Sequence, residues 1–289
     1  MITAVVELLR IRQWVKNAFV LAPLFFGSEI FKTVSVSRAC TAFIVFCLAA
    51  SAIYIFNDWR DMEADRQHAK KAARPLPSGR VPVPLALTIM VALLVMAASI
   101  IWLAELPKGF AVTVAVYLAI NVGYSLGLKH VSVLELFFVA SGFVIRLIGG
   151  AFALQIELSP WIVIATGMLA LLMATGKRRG DIAQENDSTL KRKSLADYNM
   201  VFLDSTLTAL TGGTIVVYLL FCVSDYAIAR FGAGVLVTAV PVALGLLRYL
   251  QLIMVRGQGD SPTDLVLNDW GMLAILVVFG AAYGYLIYF

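Results

Sequence analysis

Long apolar runs separated by polar connectors set the pattern of this chain. Nine runs approach the roughly 20 residues that a helix needs to cross a hydrocarbon layer. They lie at about 14–31, 38–57, 83–104, 109–127, 132–154, 159–176, 205–225, 231–250 and 270–288. The pattern predicts an all-α fold: one integral membrane bundle of nine transmembrane helices, a single domain over 1–289. Most connectors are short. The exceptions, 58–82, 177–204 and 251–269, are long and polar, and they share one side if the spans alternate.

Composition agrees. The chain is 61% hydrophobic and 14% charged, with a mean hydropathy of +0.87, whereas soluble domains carry about 25% charged residues. The N-terminus, MITAVVELLRIRQWVKNAF, lacks the separate basic, apolar and small-residue regions of a cleaved signal, so the first span is expected to stay. Cys40, Cys47 and Cys222 sit inside apolar runs and read as small hydrophobes. His68 and His130 are too far apart in sequence to suggest a ligand pair.

Charge orients the bundle. With the N-terminus inside, eighteen of the 23 Lys and Arg residues fall on the inner side. Only Lys32, Arg38, Lys108 and Arg230 fall outside, and Arg146 lies within a span. This positive-inside bias places the N-terminus and the long connectors in the cytoplasm of a multi-pass inner-membrane protein. The net charge of +5 then reflects topology plus an anion site, and not nucleic-acid binding. Charged stretches follow the second and sixth runs, four helices apart. This suggests two four-helix repeats running in the same direction, with one helix left over.

The chemistry concentrates in the stretch FNDWRDMEADRQH at 56–68. Asp58, Asp61 and Asp65 stand at i, i+3 and i+7, one face of a continuing helix. Three carboxylates there repel one another unless cations intervene. Mg²⁺ suits them, being a hard ion usually held by one or two carboxylates together with substrate phosphates. Asn57 adds a neutral oxygen, while Glu63 points elsewhere on the wheel. Arg66, Lys70, Lys71, Arg74 and Arg80 follow, and acid followed by base is the order a magnesium–diphosphate site needs. Pro75, Pro77, Gly79, Pro82 and Pro84 then break the helix into a loop. A plain topological role accounts equally well for Lys70 and Lys71, but it does not ask for acids on one face.

Other polar positions carry two readings each. In GKRRGDIAQE at 176–185, Lys177, Asp181 and Glu185 form an i, i+4, i+8 stripe. They and Arg178 are either a helix ion-pair ladder or a second pole of the same site, with Lys177 and Arg178 on phosphate. The stretch 191–199 is either a further phosphate contact or a surface helix. Lys16 is a phosphate ligand or a snorkelling lysine, with Gln13 and Asn17 beside it at the inner edge of the first run. Asn121, Tyr124, Ser125 and Lys129 line a cavity wall or join helices. Arg146, well inside a span, is functional by default, or it snorkels outward where Gly149 and Gly150 end the helix. The small runs AASA at 49–52 and GG at 212–213 suit close helix packing.

These residues resemble a known family. Asn57-Asp58-x-x-Asp61-x-x-x-Asp65 after an early span, with a second charged loop four spans on, resembles the intramembrane prenyltransferase superfamily typified by 4-hydroxybenzoate polyprenyltransferase. RQWVKN at 12–17, NDWRDMEADRQHAKKAARPLPSGRVP at 57–82, YSLGLKH at 124–130, SGFVIRLIGG at 141–150 and GKRR at 176–179 resemble its decaprenyl-phosphate phosphoribosyltransferase branch. The resemblance implies transfer of 5-phosphoribose from phosphoribosyl diphosphate to a polyprenyl phosphate in the membrane. The resemblance further implies that pyrophosphate is released, that Mg²⁺ would sit on Asp58, Asp61 and Asp65, and that the product would feed arabinose-donor and cell-wall synthesis. It also implies substrate contacts from Lys16, Asn17, Asn57, Arg66, Lys70, Arg74, Tyr124, Lys129, Arg146, Lys177, Arg178, Asp181 and Glu185. A homo-oligomer is compatible with it. Ala69 stands where the branch often has Pro, and Gly180-Asp181 departs from its usual pattern. Two alternatives remain at this level: an aromatic prenyltransferase using a polyprenyl diphosphate, and a transporter of an anionic solute.

Overall fold

The computed structural model describes residues 2–67, 71–184, 197–257 and 262–289. Its helices are α1 (Ile2–Leu9), α2 (Ala22–Phe26), α3 (Thr33–Arg60), α4 (Met62–Arg66), α5 (Val83–Leu103), α6 (Lys108–Leu126), α7 (Leu134–Leu154), α8 (Pro160–Gln184), α9 (Met200–Cys222), α10 (Asp225–Phe231), α11 (Ala239–Met254), α12 (Pro262–Asn268) and α13 (Trp270–Tyr288). Among the described residues there is no strand. The chain divides into two compact units, Met1–Leu158 and Ser159–Phe289.

Among the described residues eight helices are long and apolar enough to cross a membrane: Thr33–Arg60, Val83–Leu103, Lys108–Leu126, Leu134–Leu154, Pro160–Ala183, Met200–Cys222, Ala233–Met254 and Trp270–Tyr288. Four fall in each unit. The expected first span at 14–31 takes another form: a 3₁₀ helix over Ile11–Leu21, then the five-residue α2 and a turn. Pro23 is the physical reason. It has no N–H, and inside an α-helix its ring would clash with the carbonyl of residue 19. It sits instead in the first turn of α2, where proline is tolerated. At about 2.0 Å per residue the 3₁₀ segment and α2 together still extend roughly 30 Å, so their length is compatible with a ninth crossing.

In the first unit α3 is the central helix. Of its most apolar window 67% is buried, against 17% for α5. Its run Ala49, Ala50, Ser51 and Ala52 is buried, and α5 packs against α3. The stripe Ala86, Leu93 and Ala97 of α5 is buried, whereas Val91, Val95 and Trp102 are exposed. Phe46 of α3 meets Phe110 and Tyr117 of α6 edge-on, with centroids 5.8 and 5.5 Å apart. The N-terminal segment is tied down at several points. Trp14 Nε1 donates to Ser51 Oγ (3.0 Å), Ser51 Oγ donates to the Leu9 carbonyl (2.8 Å), and Arg80 binds both Glu7 oxygens. Gly150 makes room for it, since a Cβ there would collide with the Val20 carbonyl oxygen. α7 runs to Leu154, the expected end of the apolar run, and passes through Gly149 and Gly150 without a break, which removes the alternative that the helix stops there.

In the second unit Leu172, Leu207, Leu246, Leu252, Ile253 and Met272 form the core. Gly176 lets α8 approach α11, because a Cβ there would lie 2.6 Å from both Tyr249 Oη and Ile253 Cδ1. Side-chain caps start α9, α10 and α13: Asn199 accepts from the Phe202 amide, Ser224 from Ala227 and Asp269 from Met272.

Two boundaries differ from the sequence pattern for one reason. α3 runs three residues past 57, and α8 runs eight past 176. The connectors expected to begin at 58 and 177 therefore open as helix. Polarity marks where a helix leaves the apolar layer, while Lys, Arg, Gln and Ala continue it readily.

Candidate functional site

The end of α3 carries the acidic triad. The Asp61 amide donates to the Asn57 carbonyl (2.9 Å), and the Asp65 amide to the Asp61 carbonyl (2.8 Å). Helical bonding thus carries across the break between α3 and α4, keeping Asp58 and Asp65 on one face. A single guanidinium proves the register: Arg74 Nη1 donates to Asp58 Oδ1 (3.2 Å) and to Asp65 Oδ2 (2.6 Å). Arg10 Nη2 donates to Asp58 Oδ1 (2.5 Å), and Lys129 Nζ donates to Asp61 Oδ1. Asp58 is 1% exposed, Asp65 5% and Lys129 4%. Charges this buried are costly unless paired and hydrogen-bonded. Three carboxylates and three basic groups meet that demand.

Arg10 escaped the sequence reading, where it counted only toward orientation. Its position depends on a feature that composition does not display. Between α1 and the 3₁₀ helix its backbone is left-handed, φ 51° and ψ 47°, a conformation uncommon outside glycine. The kink turns its side chain toward α3, where the guanidinium also lies over the Tyr54 ring, 5.0 Å from the centroid. Lys129 sits on a 3₁₀ turn, Leu128–His130, between α6 and α7. That connector ends at Val133 with φ 65°, an outlier for a β-branched residue.

The other expected residues divide into groups. Asn57 Oδ1 accepts from Ser125 Oγ (3.1 Å), which joins α3 to α6 beside the triad. Arg66 turns away, donating to Glu63 (2.8 Å) and to the Pro77 carbonyl (3.2 Å). Tyr124 packs against Phe138. Lys16 is half-buried on the 3₁₀ helix. Lys70, Glu185 and 191–196 lie outside the described residues.

Arg146 and Asn17 form a separate, deeper cluster. Arg146 Nε donates to Asn17 Oδ1 (2.6 Å), Nη1 to the Gly142 carbonyl (2.8 Å) and Nη2 to Tyr117 Oη (2.8 Å). Asn17 Nδ2 reaches Cys47 Sγ at 3.2 Å. Arg146 is 5% exposed and packs on the Tyr117 and Phe143 rings, so it does not snorkel outward. Cys47 precedes Asp58 by eleven residues, about 16 Å along α3.

In the second unit Arg178 is buried and paired with Asp181, one turn on. Arg179 donates to Asp204 Oδ1 (2.5 Å) and to the Ile253 carbonyl (2.9 Å). Lys177 is exposed.

Among the described residues no three acidic, His or Cys side chains converge as a complete metal cage. The acidic end still fits Mg²⁺ in its usual manner. Two hard carboxylates, Asp58 and Asp65, reach one shared point at Arg74 Nη1, and a third, Asp61, lies three residues after Asp58 and four before Asp65. Such a donor set leaves positions for phosphate oxygens.

Comparison with known proteins gives the family and the fold. Residues 19–270 match the model of the UbiA prenyltransferase family. A decaprenyl-phosphate phosphoribosyltransferase of Corynebacterium glutamicum is 36% identical over 269 residues, 91% of this chain and 80% of that protein. The protein of that name from Mycolicibacterium smegmatis is 35% identical over 301 residues, 100% of this chain and 94% of the relative. A solved UbiA homolog from Archaeoglobus fulgidus, bound to GPP and Mg²⁺, superposes with a TM-score of 0.75 at 19% identity, covering 98% of this chain and 99% of that one. A homolog from Aeropyrum pernix gives 0.68 at 17% identity, covering 94% of this chain and 97% of its own.

Proposed function

The chain belongs to the UbiA prenyltransferase family and is a multi-pass membrane transferase, and from that premise we propose that it moves 5-phosphoribose from phosphoribosyl diphosphate to a polyprenyl phosphate, releasing pyrophosphate at the cytoplasmic face of a bacterial inner membrane. The observation that carries this is the meeting of Asp58, Asp61 and Asp65 with Arg10, Arg74 and Lys129 at one helix end of an otherwise apolar molecule. The names of the relatives support the substrates.

Asp58, Asp61 and Asp65 would hold Mg²⁺, whose chemistry is to neutralise and orient a diphosphate leaving group. Arg74 and Lys129 stand where the remaining phosphate charge would arrive. Their fixed positive charge favours a transition state in which negative charge grows on pyrophosphate while C1 of the ribose becomes oxocarbenium-like. The lipid phosphate is already ionised near neutral pH, so the chain needs no general base to activate it. Asn57, held by Ser125, shapes the wall at this level. The Arg146–Asn17–Tyr117 cluster lies too deep to touch a diphosphate at Asp58; it fixes the packing of the 3₁₀ segment against α6 and α7. A location at the membrane edge suits one soluble substrate and one lipid.

A product assay with purified protein and Mg²⁺ tests the proposal. Labelled phosphoribosyl diphosphate with a polyprenyl phosphate is expected to give labelled lipid. A polyprenyl diphosphate with 4-hydroxybenzoate is expected to give no prenylated aromatic. The reverse outcome leaves the family and removes the substrates.

A further inference from the structure

In this structure the carboxylates meant for a metal are already taken. Asp58 accepts from Arg10 and Arg74, Asp65 from Arg74, and Asp61 from Lys129. The three basic groups come from three separate places: the kink after α1, the connector after α4 and the turn after α6. In these pairs of described residues three negative formal charges face three positive ones. Arg66, the first basic side chain beyond the triad, pairs with Glu63 instead.

We propose that Arg10, Arg74 and Lys129 are resident counter-ions that make metal capture conditional on a diphosphate. The inference rests on the reading of Asp58, Asp61 and Asp65 as the metal end. A free divalent cation adds two positive charges to a neutral, largely buried cluster, and to reach the carboxylates it must displace cations whose ion pairs, among the described residues, are with these three carboxylates. A metal–diphosphate complex brings both halves of an exchange. Its metal takes the carboxylate oxygens, and its phosphate oxygens receive the displaced guanidinium and ammonium groups. Arg10 is thereby a specificity-determining residue: it selects the complex over the bare ion. Its left-handed backbone and its stacking on Tyr54 hold it ready for either partner; such strained positions persist where the surroundings over-determine them.

Coupling between two ligands is reciprocal and commonly amounts to factors of about 5–150. Equilibrium dialysis of radiolabelled Mn²⁺ against the full-length protein in detergent reads it directly, alone and with inorganic pyrophosphate. The wild type is expected to retain Mn²⁺ weakly alone, and about tenfold or more tightly with pyrophosphate. Arg10→Gln and Arg74→Gln are each expected to bind Mn²⁺ alone more tightly than the wild type and to respond less to pyrophosphate. Arg38→Gln, which removes an exposed charge bonded to Gln155, is expected to match the wild type. Equal retention by the wild type with and without pyrophosphate overturns the inference, and needs no variant. No gain in either arginine variant also overturns it. Undiminished retention by Asp58→Asn with pyrophosphate is a different failure, removing the metal assignment itself.

Discussion

At the end of α3 three carboxylates meet cations from positions 10, 74 and 129; at the end of α8 Arg178 meets Asp181 one turn on, and Arg179 meets Asp204 on α9. Both are the first long helix of their unit, and both carry charge beyond the apolar stretch. The sequences look alike in kind, but the pairings differ. At the α8 end Arg178 pairs within its own helix and Arg179 pairs with α9, and Arg179 also donates to the Ile253 carbonyl, a packing contact. The α3 end gathers partners from three connectors that share only this destination. We read several cations converging on one acidic helix face as the candidate site, and the Arg178 and Arg179 pairs as packing.

The largest effect that could break the comparison is a single change at Asp58. Asp58→Asn keeps the shape but removes a metal oxygen and the charge that Arg10 and Arg74 face. Transfer of label into lipid is expected to fall about a thousandfold or more, with membrane insertion unchanged. Asp181→Asn, at the α8 end, is expected to change turnover only a few-fold, because it breaks an i, i+3 pair. Similar losses in both would erase the distinction.

The next effect falls on stability. Arg179→Ala leaves Asp204 without its guanidinium and the Ile253 carbonyl without a donor. A broken buried pair costs about 3–5 kcal/mol, and the partial exposure of Asp204 reduces this to about 2 kcal/mol. The thermal midpoint in detergent is expected to drop by roughly 5 °C, while turnover per folded molecule stays within a few-fold. A collapse of turnover without loss of stability would make the α8 end catalytic.

The sequence pattern made much of this legible. Eight of nine expected spans are helices, because a run of apolar residues long enough to cross a membrane leaves the backbone little choice. Asp58 and Asp65 share a face as their spacing required, and Arg74 and Lys129 join them. What was not legible depended on the path of the chain. Pro23 inside an apolar run converts a span into a 3₁₀ segment. Arg10 reaches Asp58 only through a left-handed residue. Arg146 turned inward because Asn17 and Tyr117, distant in sequence, offer it oxygens. Spacing along one helix can be counted; convergence of separate connectors cannot.

The smallest effect tests whether a paired charge outside both helix ends is mere architecture too. Asp269 caps α13 through the Met272 amide and accepts from Arg248 Nε (3.2 Å) and Nη2 (2.8 Å). The Arg248 bonds, and then the Met272 amide, hold its carboxyl below the usual carboxylate range. A lowered acid contributes stability above its ordinary titration range and loses it as pH falls through the lowered value. Asp269→Asn keeps the cap and loses only the charge. Its thermal midpoint is therefore expected to lie a little below that of the wild type, by a constant margin from pH 5 to pH 8, and to converge with it only in stronger acid. A margin that changes across pH 5–8 would mean that some other group titrates against Arg248, and that the pair is more than a tether.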